Sequence, residues 1–246
     1  MNVLLGKTDA ARMQELVDIA NSSASLDERI RSLEELEEIV SSLDNANDLE
    51  SCRLWEPLIS FLSDSQSQIR LHSAWVLGTA VQNNEKSQQS FYRYGGMEAI
   101  SLLLNDSDVH VISKSLYCIS GLINHYPDAL AKFIELDGFK KLASVLAFGE
   151  MNCCRKILFM LSGLLTNENT LLTHNAALDA NLGDMVVSLL QSHDLDVVEK
   201  ALVVLEVWEN AYSGTTKEFF KSESHYLNGL VNEDELYQRY LKMRSN

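Results

Sequence analysis

Proline is almost missing from this chain, with 2 in 246 residues, and glycine is sparse at 11. So few breakers exclude a fold built from many tight turns. Together with abundant Leu, Glu, Ser and Ala they favour helices joined by short connections. Cysteine is scarce as well. Of Cys52, Cys118, Cys153 and Cys154, the last two are adjacent and cannot make the C-x-x-C spacing of metal or redox sites, so reduced thiols are expected. Positive charge is in deficit: 20 Lys and Arg stand against 35 Asp and Glu, a net of −15. A surface of that sign repels phosphate backbones and anionic lipid, so neither nucleic acid nor membrane is expected as a partner. No apolar run approaches the roughly 20 residues of a membrane span. The opening MNVLLGKTDA is too short for a secretory signal, and the closing KMRSN is not a retention signal. A soluble cytoplasmic protein is expected, with the nucleus also open to it.

Catalytic signatures are missing too. There is no phosphate-binding glycine loop, no nucleophile elbow and no H-E-x-x-H. The six histidines (His72, His110, His125, His174, His193 and His225) have no pair at ligand spacing on one helix. The EELEE acids read as a solvated helix face. No enzyme activity, cofactor or metal is expected.

What the chain does have is a repeat. AWVLGTAVQNN, YCISGLINHY and FMLSGLLTNEN place Gly78, Gly121 and Gly163 at intervals of 43 and 42 residues inside apolar runs. A fourth copy, VVEKALVVLEVWENAYS, carries Glu206 at the glycine position. Val76, Ile119, Leu161 and Val204 sit two residues before it and are apolar in every copy, as a helix buried between neighbours requires. A helical glycine costs about 1 kcal/mol relative to alanine, so close helix approach is the expected compensation. A second phase recurs between the first: WEPLISFL, GGMEAISLLL, GFKKLASVLA and LGDMVVSLLQ. In these runs Gly96, Gly138 and Gly183 fit the turn entering each helix, and Pro127 opens a further helix.

Periods near 42 residues belong to helical solenoids. The predicted fold is all-α: an armadillo-like right-handed α-solenoid of about four repeats, capped by polar helices at both ends. A short segment, residues 1–9, precedes a single domain, residues 10–246, because no linker divides the chain. The caps are expected over Ala10–Leu43 and in NEDELYQRYLKM.

Two polar stretches stand out, LDNANDLE from Leu43 and AVQNNEKSQ from Ala80. Capping and turn chemistry is one reading. The other has Asn45, Asn47, Gln82, Asn83 and Asn84 at helix ends bind a partner's backbone. Trp55, read at the start of a third helix, is a candidate anchor or a core residue. Charge varies along the chain: Asp27–Glu56 carries ten acids and three bases, Lys132–Lys156 five bases and three acids. The basic stretch contains Arg155, which opens the buried helix of its repeat, and Lys156. A local cationic patch suits an acidic partner surface.

With these residues in view, LDNANDLESCRLWEPLI followed by GTAVQNNEKSQQSF closely resembles the armadillo-type nucleotide exchange factors of the seventy-kilodalton heat-shock chaperones. The resemblance covers roughly residues 10–240 and is strongest from Leu43 to Phe91. It implies a co-chaperone that clasps the second lobe of the chaperone's ATPase domain with its concave face and promotes ADP release, with no catalytic residue of its own. Family interface positions then fall on Ala46 and Arg155. A monomer is expected. The flexible N-terminal segment of the family, associated with freeing substrate, is reduced here to VLLGK. The alternative is a peptide-binding armadillo adaptor of the nuclear-import type, with Trp75 and Trp208 read as lying off the third helices.

Overall fold

A computed structural model describes residues 8–124, 126–166 and 170–211. The segment VLLGK, the C-terminal cap NEDELYQRYLKM, His125 and His225 lie outside them. The described residues are helix and turn with no strand. They gather into two compact units that divide in sequence between Leu136 and Asp137, at a tight turn and not at a Gly- or Ser-rich linker.

The first unit contains α1 (Asp9–Ala20), α2 (Leu26–Val40), α3 (Leu43–Ser51), α4 (Trp55–Ser60), α5 (Ser67–Val81), α6 (Glu85–Arg93), α7 (Gly96–Leu102), α8 (Val109–Ile123) and α9 (Pro127–Glu135). The second contains α10 (Gly138–Phe148), α11 (Met151–Thr166), α12 (Thr170–Asp179), α13 (Leu182–Ser188) and α14 (Leu195–Ala211). Local chemistry sets these bounds. Ser25 and Glu28 form a capping box at the start of α2, and Pro127 opens α9 where a missing N–H costs nothing.

The two sequence phases correspond to two helix classes. The first supplies the long helices, α5, α8, α11 and α14. In the first unit α5 packs between α2 and α8; in the second α11 packs on α14. Val76, Ile119, Leu161 and Val204 are all buried at these contacts. The second phase supplies α4, α7, α10 and α13. Three of these tighten into a 3₁₀ turn, at Phe61–Ser63, Leu103–Asn105 and Leu189–Gln191.

Close approach accounts for the glycines of the first unit. A Cβ on Gly78 would stand 2.6 Å from the Tyr117 ring and 3.3 Å from the Cys118 Cα. A Cβ on Gly121 would stand 2.1 Å from Gln82 Nε2. The second set of glycines does something other than the expected turn. The left-handed backbone entering α7 and α10 belongs to Gly95 (φ 77) and Asp137 (φ 56), and Asn181 (φ 57) plays that part before α13. Gly96 is already helical, and a Cβ there would lie 2.3 Å from the buried Phe91 ring.

Arginines tie successive repeats. Arg29 on α2 donates to Asp64 after the first 3₁₀ turn at 2.6 Å, and Arg70 on α5 grips Asp106 after the second through two bonds of 2.7 and 2.8 Å. In the second unit Arg155 on α11 pairs with Asp194. Burial alone would raise the Asp64 carboxyl, but the Gln66 amide and the Arg29 guanidinium hold it below the usual carboxylate range. Asp106 is likewise held low against its own burial, by Arg70 and the Asp108 amide. A fork on a carboxylate resists rotation, so the Arg70–Asp106 pair sets spacing as well as charge.

The buried cysteines behave as small hydrophobes. Cys118, Cys153 and Cys154 are free and buried, and desolvation pushes Cys153 up to about 12 and Cys154 to about 11. They are reduced thiols held as neutral packing groups.

Gly96→Ala should cost about 2–3 kcal/mol despite alanine's better helix propensity, because the Phe91 ring, wedged against Trp55, has no room to retreat. Urea unfolding measures it. Gly121→Ala should cost less than Gly96→Ala, since the end of a glutamine side chain can swing away.

Candidate partner-binding surface

LDNANDLE is a helix and not a loop. Ala46 and Leu49 lie three residues apart on the inner face of α3, and this apolar pair outweighs the polar composition. Ala46 is 1% exposed, and its carbonyl accepts a bond from Ser87 Oγ on α6 at 3.3 Å. The small side chain thus permits close contact within the chain, between α3 and α6. Asn45 is half-buried, and its Nδ2 donates to Ile39 O and to Asp9, both at 3.1 Å, which fixes the turn between α2 and α3. Asn47 is half-buried with its Oδ1 unpaired.

AVQNNEKSQ follows the capping reading closely. Gln82 ends α5, and its Nε2 donates to Gly78 O at 3.1 Å and to Tyr117 O on α8 at 3.2 Å. Asn83 is exposed and takes the left-handed conformation (φ 50) that lets the chain turn. Asn84 caps α6, accepting from the Ser87 amide, and is buried. Gln88, which sequence reading passed over, bonds Val81 O and Gly121 O, both at 3.0 Å. The carboxamides thus satisfy the carbonyl ends of two neighbouring helices.

Trp55 opens α4, 1% exposed, with its ring 6.1 Å from Phe91. Of its two readings, anchor or core residue, the structure supports the core one, and its candidacy as a partner contact is corrected. Arg155 is half-buried and engaged by Asp194 and by Asp196, the latter at 2.8 Å. Lys156 beside it is half-buried, and desolvation pushes its ammonium below the usual lysine range.

The residues that form a coherent surface are ones sequence reading had set aside. Along the edges of α2, α5 and α8 lie Glu34, which is exposed, Glu37, Trp75, Thr79, Lys114 and Tyr117, which are half-buried, and His72, which is buried. Thr79 Oγ1 donates to Glu37 at 2.7 Å. Lys114 Nζ sits 3.2 Å above the Trp75 ring, and the His72 and Trp75 rings are 6.1 Å apart. Trp75 is half-exposed on α5. Their spacing at three and four residues, along the otherwise apolar α5 and α8 and the charged α2, was the available signal. The result is a pre-ordered polar and aromatic strip with no catalytic grouping and, among the described residues, no metal cluster.

This fold has relatives. Residues 45–182 match the SIL1/FES1/HPBP1 C-terminal domain, over more than half of the chain. The chain belongs to the SIL1/FES1/HPBP1 family. Residues 1–49 match a second description, nucleotide exchange factor Fes1. Proteins named Hsp70 nucleotide exchange factor FES1 are similar in sequence. One from Mycosarcoma maydis is 36% identical over 136 residues, 55% of this chain and 35% of that protein. One from Eremothecium gossypii is 37% identical over 134 residues, 53% of this chain and 46% of that protein. The match thus spans only about a third to a half of those two relatives' length. Among solved structures, an engineered protein covers 95% of this chain, and 99% of its own is covered, with a TM-score of 0.80 and 18% identity. A designed armadillo repeat protein in complex with the peptide (KR)4 covers 94%, and 99% of its own is covered, with a TM-score of 0.72 and 17% identity. These likenesses establish the all-α armadillo class.

Ala46→Arg should destabilise the isolated protein by about 3 kcal/mol or more, read by urea unfolding with no partner present, since a guanidinium has no room between α3 and α6. A pH series adds a second outcome. Desolvation lowers the pKa of both His72 and His174 from 6.5, so the unfolded chain binds more protons. Their contribution is therefore complete above about pH 6.5 and shrinks as the pH falls below it. Unfolding midpoints should drop between about pH 7.5 and 5.5, and less so in His72→Phe.

Proposed function

We propose that this chain is a co-chaperone that binds the ATPase domain of a 70-kDa heat-shock chaperone and promotes ADP release. The observation that carries the reading is the family match over residues 45–182, joined to the exchange-factor match over residues 1–49. The contact surface in this reading is the α2–α5–α8 strip, with the second ATPase lobe as its target. The strip's side chains are held in place before binding, so little ordering cost is added on association.

The chemistry needs no group on this chain to make or break a bond. A rigid surface that fits an open ATPase domain better than a closed one shifts that equilibrium by its differential affinity alone. Opening removes contacts to ADP, and ATP replaces it. In this account the protein acts as a cytoplasmic monomer and is not an enzyme. A second reading, a peptide-binding adaptor, has one observation in its favour: Trp75 lies half-exposed on a long helix whose neighbour α2 presents Glu34 and Glu37 toward it, a setting suited to extended basic peptides.

Loss of labelled ADP from a purified chaperone ATPase domain should accelerate about tenfold or more when the full chain is added. Trp75→Ala should remove most of that acceleration while the far-ultraviolet spectrum stays helical. No acceleration by the unmodified protein, with tight binding of a basic peptide instead, would favour the adaptor.

A further inference from the structure

We propose that Lys114 is the positioning residue of the strip: its ammonium holds the Trp75 ring in the orientation in which that ring meets the ATPase domain. This rests on the proposed chaperone contact and names the group that keeps its aromatic anchor ready.

The long helices α5 and α8 meet in two successive rungs. In one, the Tyr117 ring fills the space left by Gly78, where a Cβ would stand 2.6 Å from it. One turn earlier on both helices Lys114 reaches Trp75, with its Nζ 3.2 Å from the ring centroid. Lys114 and Tyr117 are three residues apart on α8, as Trp75 and Gly78 are on α5, so the two rungs share one helix face. Seating the first rung fixes the second. With Tyr117 locked into the glycine gap, the base of Lys114 cannot slide along α5.

Trp75 needs such a brace. Trp55 and Trp208 are 1% and 0% exposed and are held by the interior, whereas Trp75 is half-buried at a helix edge. A tryptophan in that setting can turn about two side-chain bonds, and freedom left to it before binding is lost on binding. On its own helix the His72 ring stands one turn back, tilted 31° with the centroids 6.1 Å apart. Lys114 supplies a wall from the neighbouring helix. Indole is the aromatic face that attracts a cation most strongly, and Lys114 is itself half-buried, so less of that attraction is lost to water. The charge matters as well as the stem. A neutral side chain of the same length would touch the ring without being drawn to it.

The test uses the full chain and a fluorescently labelled ADP-bound ATPase domain, with dissociation followed by anisotropy. Lys114→Met keeps most of the stem and removes the charge. It should speed dissociation about fivefold, and in the free protein it should raise acrylamide quenching of the exposed tryptophan about twofold. A cooperative thermal melt shows that the variant folds. Lys114→Arg, which keeps a cation for the ring, should return both values close to those of the unmodified protein. In a Trp75→Ala background Lys114→Met should have no further effect on dissociation, because its action passes through the ring. A loss that persists in that background would mean that Lys114 touches the partner directly, and would overturn the inference. A Lys114→Met protein that dissociates and quenches like the unmodified one, while ADP release is still accelerated, would also overturn it and leave the functional reading standing. An unmodified protein that does not bind would overturn both.

Discussion

The first unit depends on how closely α5 approaches α8. Gly78 removes a side chain where the Tyr117 ring must lie, and Gly121 removes one where the Gln82 amide must lie. The two absences let backbone meet backbone closely enough for Gln82 and Gln88 to bond carbonyls on both helices at once. Each such bond adds only about 1 kcal/mol net, but leaving those carbonyls unpaired in the interior would cost more. Glycine and glutamine are therefore one device, written into a single phrase of sequence.

That device reaches the surface. Because α8 is held against α5, Tyr117 and Lys114 stand beside Trp75, and because α5 packs on α2, Thr79 and His72 face Glu37 and Glu34. The proposed binding strip is the outer edge of the same contacts that bury Val76 and Ile119. Its rigidity follows from interior packing, which is dense and poorly compressible. In the proposed mechanism that matters directly, since a surface that deformed to fit the closed ATPase domain would have no preference between its states and would shift nothing.

Much of this was legible beforehand. The period in the glycine phrases located the long helices, the second phase located the short ones, and the apolar residues two before each glycine are buried in all four copies. The wording from Leu43 to Phe91 pointed to the family. The site was less legible. Ala46 sits in a segment whose composition suggested exposure, and Trp55 stood open between anchor and core; both are interior, because α3 turns its one apolar edge inward and Trp55 packs on Phe91. Polar composition does not state which face of a short helix is buried. The glycines entering α7 and α10 were credited with a turn that belongs to the residue before them, since sequence shows a glycine but not the sign of φ.

The sequence by itself determined the class: few breakers, apolar positions at helical spacing and a 42-residue period leave stacked helices as the way to bury the apolar faces. It also determined the acidic charge and the family. Only the tertiary structure decided which polar residues were spent on holding helices together and which were left exposed on the surface. Asn45, Gln82 and Arg155 look as available in the sequence as Glu34 and Glu38. They differ because bonding partners for the first three arrive from residues 6 to 41 positions away, and such neighbours exist only once the helices have packed.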